Sequence, residues 1–126
     1  MSTGTNSARQ GWLIVEDESL VSMLIEEAIA DLGLNVLAPV ARVGQALALL
    51  QEHDPEGALL DLNLAGEAVY PVADVLAERQ IPFAFITGYG RLGVLPAYSG
   101  RPVLQKPFMM NEIQNVVRQM LAQPAG

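Results

Sequence analysis

The sequence predicts an α/β fold in which a five-stranded parallel sheet carries helices on both faces. Two features of the 126-residue chain lead to this prediction. Five short apolar runs lack the polar alternation of half-exposed strands, and such runs are typical of strands buried on both faces. Stretches with helical spacing of apolar residues follow these runs, and this alternation predicts an open parallel sheet between two helical layers.

Each predicted strand is a short apolar segment. The predicted strands cover residues 12–15, 35–38, 57–61, 82–86 and 103–105. Pro39 is expected to cut the second strand short, because proline cannot donate a hydrogen bond to the strand ladder. The fourth strand is expected to end at Thr87 and the fifth just before Lys106.

Four helices are predicted from apolar periodicity and from their end signals. They cover residues 19–32, 44–52, 71–79 and 111–122. Gly33 is a suitable stop for the first helix, and Pro71 suits the first turn of the third. Residues 88–100, between the fourth and fifth strands, contain four glycines and one proline. Any fourth helix in that segment is therefore expected to be short, distorted or mobile.

Composition limits the classes of function. The length suits one domain, expected at residues 11–123, with flexible tails at 1–10 and 124–126. The absence of cysteine excludes disulfides and thiolate metal sites. A net charge of −7 argues against binding to nucleic acid. No apolar run is long enough to span a bilayer and the first ten residues lack a signal-peptide pattern, so a cytoplasmic protein with no membrane contact is expected.

Polar side chains stand at the carboxyl ends of four predicted strands. Glu16 and Asp17 follow the first strand, and Asp61, Thr87 and Lys106 close the third, fourth and fifth. In open α/β sheets, binding sites form beyond the carboxyl ends of the strands. We therefore expect these five residues, which are distant in sequence, to meet at one edge of the sheet.

Three carboxylates in a small space repel one another and favour a divalent cation. Mg²⁺ or Mn²⁺ suits them, because hard cations prefer oxygen ligands and tolerate bound water. Asp17 and Asp61 are expected to coordinate directly, with the backbone carbonyl of Asn63 completing the set and Glu16 acting through a water.

A carboxylate at such a site can attack phosphorus and form an acyl phosphate if the charge on the transferring oxygens is neutralised. Asp61 is the candidate phosphoacceptor, and it needs no general base because it is already ionised at neutral pH. Besides the cation, the Lys106 ammonium, the Thr87 hydroxyl and the Gly88 amide are expected to share the charge of the phosphoryl oxygens.

These motifs resemble the receiver domains of two-component response regulators. The segments that carry the resemblance, in the family's order, are Val15-Glu16-Asp17-Glu18, Leu59-Leu60-Asp61-Leu62-Asn63-Leu64, Ile86-Thr87-Gly88 and Lys106-Pro107-Phe108. The resemblance implies a flavodoxin-like (βα)5 doubly wound sandwich with Asp61 as phosphoacceptor, Thr87 as switch hydroxyl and Lys106 as phosphate sensor. It also implies a cis peptide before Pro107. The implied partners are a sensor histidine kinase or a histidine phosphotransfer protein, and a downstream protein of unknown identity.

A narrower resemblance joins the chain to the FAT GUY subgroup of stand-alone regulators, which is linked to bacterial stress signalling. It rests on the segment Pro82-Phe83-Ala84-Phe85-Ile86-Thr87-Gly88-Tyr89-Gly90. Val103 stands where most receivers carry a rotating aromatic switch, so Tyr89 is a candidate substitute switch, although it can equally be a packing residue. Ala65 stands where many receivers have a proline, which leaves the shape of the loop after Asp61 open.

The leading hypothesis is a phosphorylated signalling module rather than an enzyme, with output through protein contacts. A phosphate sink, a phosphorelay intermediate and a receiver that binds partners constitutively are the alternatives. An aspartate-based phosphatase of the haloacid dehalogenase type is disfavoured, because Asn63 stands where those enzymes have an acid. A flavin-binding module is disfavoured because acidic residues replace a phosphate-binding loop after the first strand.

Overall fold

A computed structural model of the chain describes residues 9–88 and 93–122. The strands are β1 Trp12–Val15, β2 Val36–Val40, β3 Gly57–Asp61, β4 Asn63–Leu64, β5 Glu67–Ala68, β6 Phe83–Thr87 and β7 Val103–Gln105. The helices are α1 Ser19–Asp31, α2 Val43–Leu50, α3 Tyr70–Glu78 and α4 Met110–Ala122. Five strands form a parallel sheet in the order β2-β1-β3-β6-β7. Without the small β4–β5 hairpin this is the order 2-1-3-4-5 of the flavodoxin-like fold, as the sequence predicts.

The second strand is longer than predicted. Instead of ending before Pro39 it continues to Val40, and Pro39 pairs in register with Ile14 of β1. The prediction of a break at Pro39 is therefore wrong. The physical reason is position: β2 lies at the edge of the sheet, where one side of the strand has no ladder partner and a proline is tolerated.

A two-stranded antiparallel hairpin, β4–β5, follows the central strand β3. Its two-residue turn is formed by Ala65 and Gly66, with φ values of 49° and 92°. Positive φ at both central residues is the requirement of the tight turns that suit hairpins. This hairpin is not predictable from the sequence, because two-residue strands are too short to carry a periodic pattern.

The segment before β7 contains little regular structure among its described residues. In 93–100 only a three-residue 3-10 helix, Pro96–Tyr98, is present. Gly93 has a φ of 91°, which a continuous right-handed helix cannot accommodate. The expectation of a short or distorted fourth helix is therefore confirmed for the part of the segment that the structure describes.

Alternate side chains of the strands enter two separate cores. Leu13 and Val15 pack on the side of α2 and α3, whereas Trp12 and Ile14 pack on the side of α1 and α4. This follows from the period of two in a strand, which turns successive side chains to opposite faces. The sheet is consequently buried on both faces, as its continuous apolar strands predict.

Gly57 at the start of β3 is fixed by close packing against Trp12. A Cβ atom at this position would overlap the six-membered ring of the Trp12 indole. The two residues are register partners on neighbouring strands. The large aromatic side chain therefore requires a residue with no side chain beside it.

The predicted tails lie largely outside the described residues, which exclude 1–8 and 123–126. Residues 9 and 10 contact the folded part: the Gln10 amide donates to the Asp54 carbonyl at 2.9 Å, and Arg9 donates to the Arg79 carbonyl at 3.0 Å. The domain boundaries stay a prediction. Among the helices in the described ranges, none is long and apolar enough to cross a membrane.

Candidate functional site

The carboxyl ends of β1, β3, β6 and β7 bring four predicted site residues to one edge of the sheet. Glu16 and Asp61 are buried there, with 3% and 5% of their surface exposed, and Thr87 is buried beside them at the end of β6. Lys106 directly follows β7, and its backbone N–H donates to the Thr87 carbonyl at 2.8 Å. The strand order explains this convergence, because β1, β3, β6 and β7 are consecutive neighbours in the sheet.

The Lys106 ammonium is the cation that links the acidic groups of this site. Its Nζ lies 3.3 Å from both carboxylate oxygens of Glu16 and 3.4 Å from Asp61 Oδ2. Glu18 accepts a further hydrogen bond from the same nitrogen. The peptide bond between Lys106 and Pro107 is cis, as the family resemblance implies.

Glu16 has a strongly perturbed carboxyl group. Burial raises its pKa to about 7, and the nearby Asp61 adds to the rise, whereas the hydrogen bond from the Glu18 amide and the charge of Lys106 oppose it. That amide donates to Glu16 Oε2 at 3.0 Å. The other oxygen, Oε1, is buried and accepts no hydrogen bond of good geometry, although it lies 3.3 Å from the Lys106 ammonium in an ion pair. A buried carboxylate with one unsatisfied oxygen is a group that a cation would stabilise.

The pKa of the Lys106 ammonium is shifted in the direction that favours the charged form. Partial burial of the ammonium acts to lower its pKa, but the hydrogen bond to Glu18 and the negative charges of Glu16 and Asp61 outweigh burial and raise the pKa above its ordinary value. The amine is therefore protonated throughout the physiological pH range.

Asp61 is oriented by the loop that follows it. The backbone N–H of Asn63 donates to Asp61 Oδ1 at 3.1 Å, which leaves Oδ2 on the side of Lys106. The Asn63 side chain is exposed and accepts a hydrogen bond from the Gly66 amide at 3.0 Å, so it closes the β4–β5 turn. Ala65 in this turn has a positive φ, which proline cannot adopt. The backbone conformation at position 65 therefore excludes proline, which many receivers carry at this position.

The structure brings together a slightly different set of carboxylates from the predicted one. Glu16, Glu18 and Asp61 each offer an oxygen within 4.8 Å of the others, whereas Asp17 is exposed and is not part of this cluster. Glu18 is the third acid of the turn after β1 and is not among the predicted site residues. An all-oxygen donor set with an unsatisfied Glu16 oxygen fits a hard divalent cation such as Mg²⁺.

The structure describes two of the three switch candidates, Thr87 and Val103. Tyr89 lies outside the described residues. Thr87 is buried at the site, and the neighbouring Gly88 is exposed, with no atom near the position that a Cβ would take. Val103 pairs in register with Phe85 and packs against the core on the α2 and α3 side.

Two tyrosines contribute aromatic rings to the side of the sheet where Val103 lies. Tyr98 stacks on Tyr70 with 6.0 Å between ring centroids and meets Phe83 and Phe85 edge-on. The Tyr98 hydroxyl donates to Asp74 of α3. The Tyr70 hydroxyl donates to the Gly93 carbonyl and accepts from the Leu95 amide at 3.0 Å. Segment 93–98 is therefore attached to α3 through both tyrosine hydroxyls.

Solved structures with the same fold match nearly the whole chain. No family model and no curated protein matches the chain. The solution structure of SdrG from Sphingomonas melonis Fr1 matches with a TM-score of 0.80 and 40% identity, over 91% of this chain and 98% of that chain. The Erythrobacter litoralis PhyR response regulator REC domain matches with a TM-score of 0.79 and 27% identity, over 96% and 98%. The PhyR stress response regulator matches with a TM-score of 0.77 and 29% identity, over 90% of this chain and 45% of that chain.

The relation to SdrG combines high identity with nearly complete coverage of both chains, and the parallel sheet order and the polar edge agree with it. The chain belongs to the receiver domains of response regulators.

Proposed function

We propose that this chain is a stand-alone response regulator that accepts a phosphoryl group on Asp61 and signals through phosphorylation-dependent contacts with another protein. The proposed phosphodonor is a sensor histidine kinase or a histidine phosphotransfer protein. One observation carries the proposal: the Lys106 ammonium lies 3.4 Å from Oδ2 of a buried Asp61 at the carboxyl edge of the sheet. A nucleophilic carboxylate beside a fixed cation is suited to phosphoryl transfer.

The transfer needs little chemistry from the protein. A carboxylate oxygen of Asp61 would form a bond to phosphorus while the phosphorus–nitrogen bond of the phosphohistidine breaks, and the electron pair stays on the imidazole nitrogen. The Asn63 amide holds Asp61 Oδ1, and this fixes the direction of the carboxylate. Lys106, the Thr87 hydroxyl and the Gly88 amide would bind the phosphoryl oxygens and neutralise part of their charge.

Mg²⁺ or Mn²⁺ is the proposed cofactor. Asp61 and the unsatisfied Glu16 are the residues best suited to hold it, Glu16 directly or through a water. Asp17 and the Asn63 carbonyl are further proposed ligands, and Asp17 would need to turn its exposed side chain inward. When bound, the ion would neutralise negative charge on the transferring phosphoryl oxygens.

The proposed output surface comprises segment 88–100, β7 and α4, and residues 89–92 of this surface lie outside the described residues. Its described part has one three-residue 3-10 helix and is attached to α3 by tyrosine hydroxyls, and such weak local structure allows a switch at low cost. Likeness to the PhyR stress response regulator supports a role in bacterial stress signalling. A cytoplasmic location remains a prediction.

An aspartate-based phosphatase is a poorer description of the same site. Such an enzyme needs a general acid near the nucleophile, but Asn63 is an amide whose oxygen is used by the Gly66 amide. At most, the chain would catalyse its own phosphorylation and dephosphorylation. A phosphate sink and a constitutive binding receiver are distinguished from the main proposal by experiment.

Acetyl phosphate with Mg²⁺ tests the phosphoacceptor directly. We expect the intact mass of the wild type to rise by one phosphoryl group and that of Asp61→Asn to stay unchanged. Asp54→Asn is a matched control, because Asp54 lies in an ion pair with Arg79 away from the site and should leave labelling intact. No phosphoryl gain in the wild type, or equal gain in Asp61→Asn, would show that the assignment of Asp61 is wrong.

Beryllofluoride, which mimics a phosphoryl group on an aspartate, tests the output. Pull-downs from a lysate should recover a different set of proteins with and without beryllofluoride, and the difference should vanish in Asp61→Asn. Equal recovery in both states, together with normal labelling of Asp61, would favour a phosphate sink or constitutive binding.

A further inference from the structure

The Glu18 side chain contacts Lys106 at the site and does not bond to the amides of its own helix. Glu18 is the N-cap residue of α1, yet its side chain makes no capping hydrogen bond. Instead it accepts a hydrogen bond from Lys106 Nζ. The usual reason for a polar N-cap, satisfaction of the first helical amides, therefore does not explain where this carboxylate lies.

The three carboxylates around Lys106 form an inner pair and an outer partner. The side chains of Glu16 and Asp61 are 0% and 7% exposed, whereas that of Glu18 is 61% exposed. Lys106, at 22% exposure, lies between them. It contacts Glu18 on the solvent side, and it contacts Glu16 at 3.3 Å and Asp61 at 3.4 Å on the inner side.

We propose that Glu18 is a positioning residue that binds the Lys106 ammonium from the solvent side, while Glu16 and Asp61 bind it from the inside, and so competes for this ammonium with a phosphoryl group on Asp61. The inference rests on the proposed function, since it concerns the regulation of the same site. An ammonium has three hydrogens to donate, and one of them is directed to Glu18 at the solvent edge. A phosphoryl group on Asp61 has to compete with Glu18 for that cation.

The expected effect is modest. Because one partner is largely exposed, the ion pair is screened by water, and loss of Glu18 should strengthen binding of a phosphoryl mimic by about threefold. Glu18 would thus set how readily the site changes from its resting to its phosphorylated state, while Asp61 and the metal ligands carry the transfer itself.

A double-mutant cycle with beryllofluoride tests this. Dissociation constants are measured by calorimetry at saturating Mg²⁺ for the wild type, Glu18→Gln, Lys106→Gln and the double variant. We expect Glu18→Gln to bind about threefold more tightly than the wild type, and to have no effect when Lys106 is replaced. Glu27→Gln on the exposed side of α1 removes the same charge about two and a half turns further along the helix and should leave binding unchanged.

The other outcomes overturn the proposal in different ways. Equal tightening in both Lys106 backgrounds would show that Glu18 acts by general repulsion. Unchanged or weaker binding in Glu18→Gln would show that Glu18 does not restrain Lys106, and a parallel loss of Mg²⁺ affinity would make it a metal ligand. Lys106→Met gives a second background if Lys106→Gln does not fold. Failure of the wild type to bind beryllofluoride would instead count against the proposed function.

Discussion

The two faces of the sheet are covered in different ways. On one face α1 and α4, each of 13 residues, pack against each other over a largely aliphatic core that also contains Trp12. On the other, α2 and α3 have only 8 and 9 residues, and aromatic rings and hydroxyl hydrogen bonds hold segment 93–98 beside them. The first layer depends on buried apolar area, and the second depends in part on a few directional contacts.

This difference indicates which part of the domain can change conformation at a small cost in free energy. Burial of aliphatic side chains is lost only when whole helices separate, so the α1 and α4 layer is expected to open only in global unfolding. Individual hydrogen bonds to tyrosine hydroxyls can break one at a time. Segment 93–98 leads into β7 and Lys106, so its attachment to α3 connects the site to a part of the chain with low local stability.

The largest expected effect comes from breaking the aliphatic layer. Ile113 of α4 is fully buried, and Ile113→Ala should lower the free energy of unfolding by about 2 to 5 kcal/mol through lost burial and a residual cavity. Urea denaturation followed by circular dichroism measures the change. Leu121→Ala on the same helix is the control, because Leu121 is 53% exposed and should cost less than about 1 kcal/mol. Similar losses for both variants would contradict the proposed role of this layer.

The meeting of Glu16, Asp61, Thr87 and Lys106 was predictable from the sequence, because a parallel sheet brings the carboxyl ends of its strands to one edge. The choice between Asp17 and Glu18 was not, since the direction of adjacent side chains in a turn depends on the backbone that leads into α1. The path of β2 through Pro39 depends on its place at the sheet edge, which a strand's own residues do not reveal. The tyrosine contacts join α3 to a distant segment and leave no periodic signal.

A smaller loss of stability should follow from overpacking in the core on the side of α1 and α4, which contains Trp12. Gly57→Ala would place a methyl group against the Trp12 ring, and relief of the overlap should cost about 1 to 3 kcal/mol. Trp12 is the sole tryptophan, so its fluorescence reports the displacement directly. Gly44→Ala is the contrasting control: Gly44 lies in α2 with open space around it, and the change should be neutral or stabilise by up to about 1 kcal/mol. Equal destabilisation by both changes would show that packing against Trp12 is not the cause.

The smallest loss of stability is expected where Tyr98 holds segment 93–98 against α3, and it should be confined to that segment. Tyr98→Phe keeps the ring stacked on Tyr70 but removes the hydrogen bond to the exposed Asp74, which should cost about 1 kcal/mol or less. Amide hydrogen exchange should become faster in residues 94–101 while α1 and α4 keep their protection. Equal acceleration throughout the molecule would mean that the segment does not open separately.

The pH dependence of the same contact gives a second measurement. Burial, followed by the hydrogen bond and charge of Asp74, raises the pKa of Tyr98 from its ordinary value of 10 to about 12. The protonated hydroxyl therefore contributes its stability fully below pH 10 and loses it as the pH rises from 10 through 12. Wild type and Tyr98→Phe should converge in stability over that range, and the tyrosinate absorbance of the wild type should include one group that ionises late. If the difference in stability between them stays constant across that range, the hydroxyl does not hold the segment to α3.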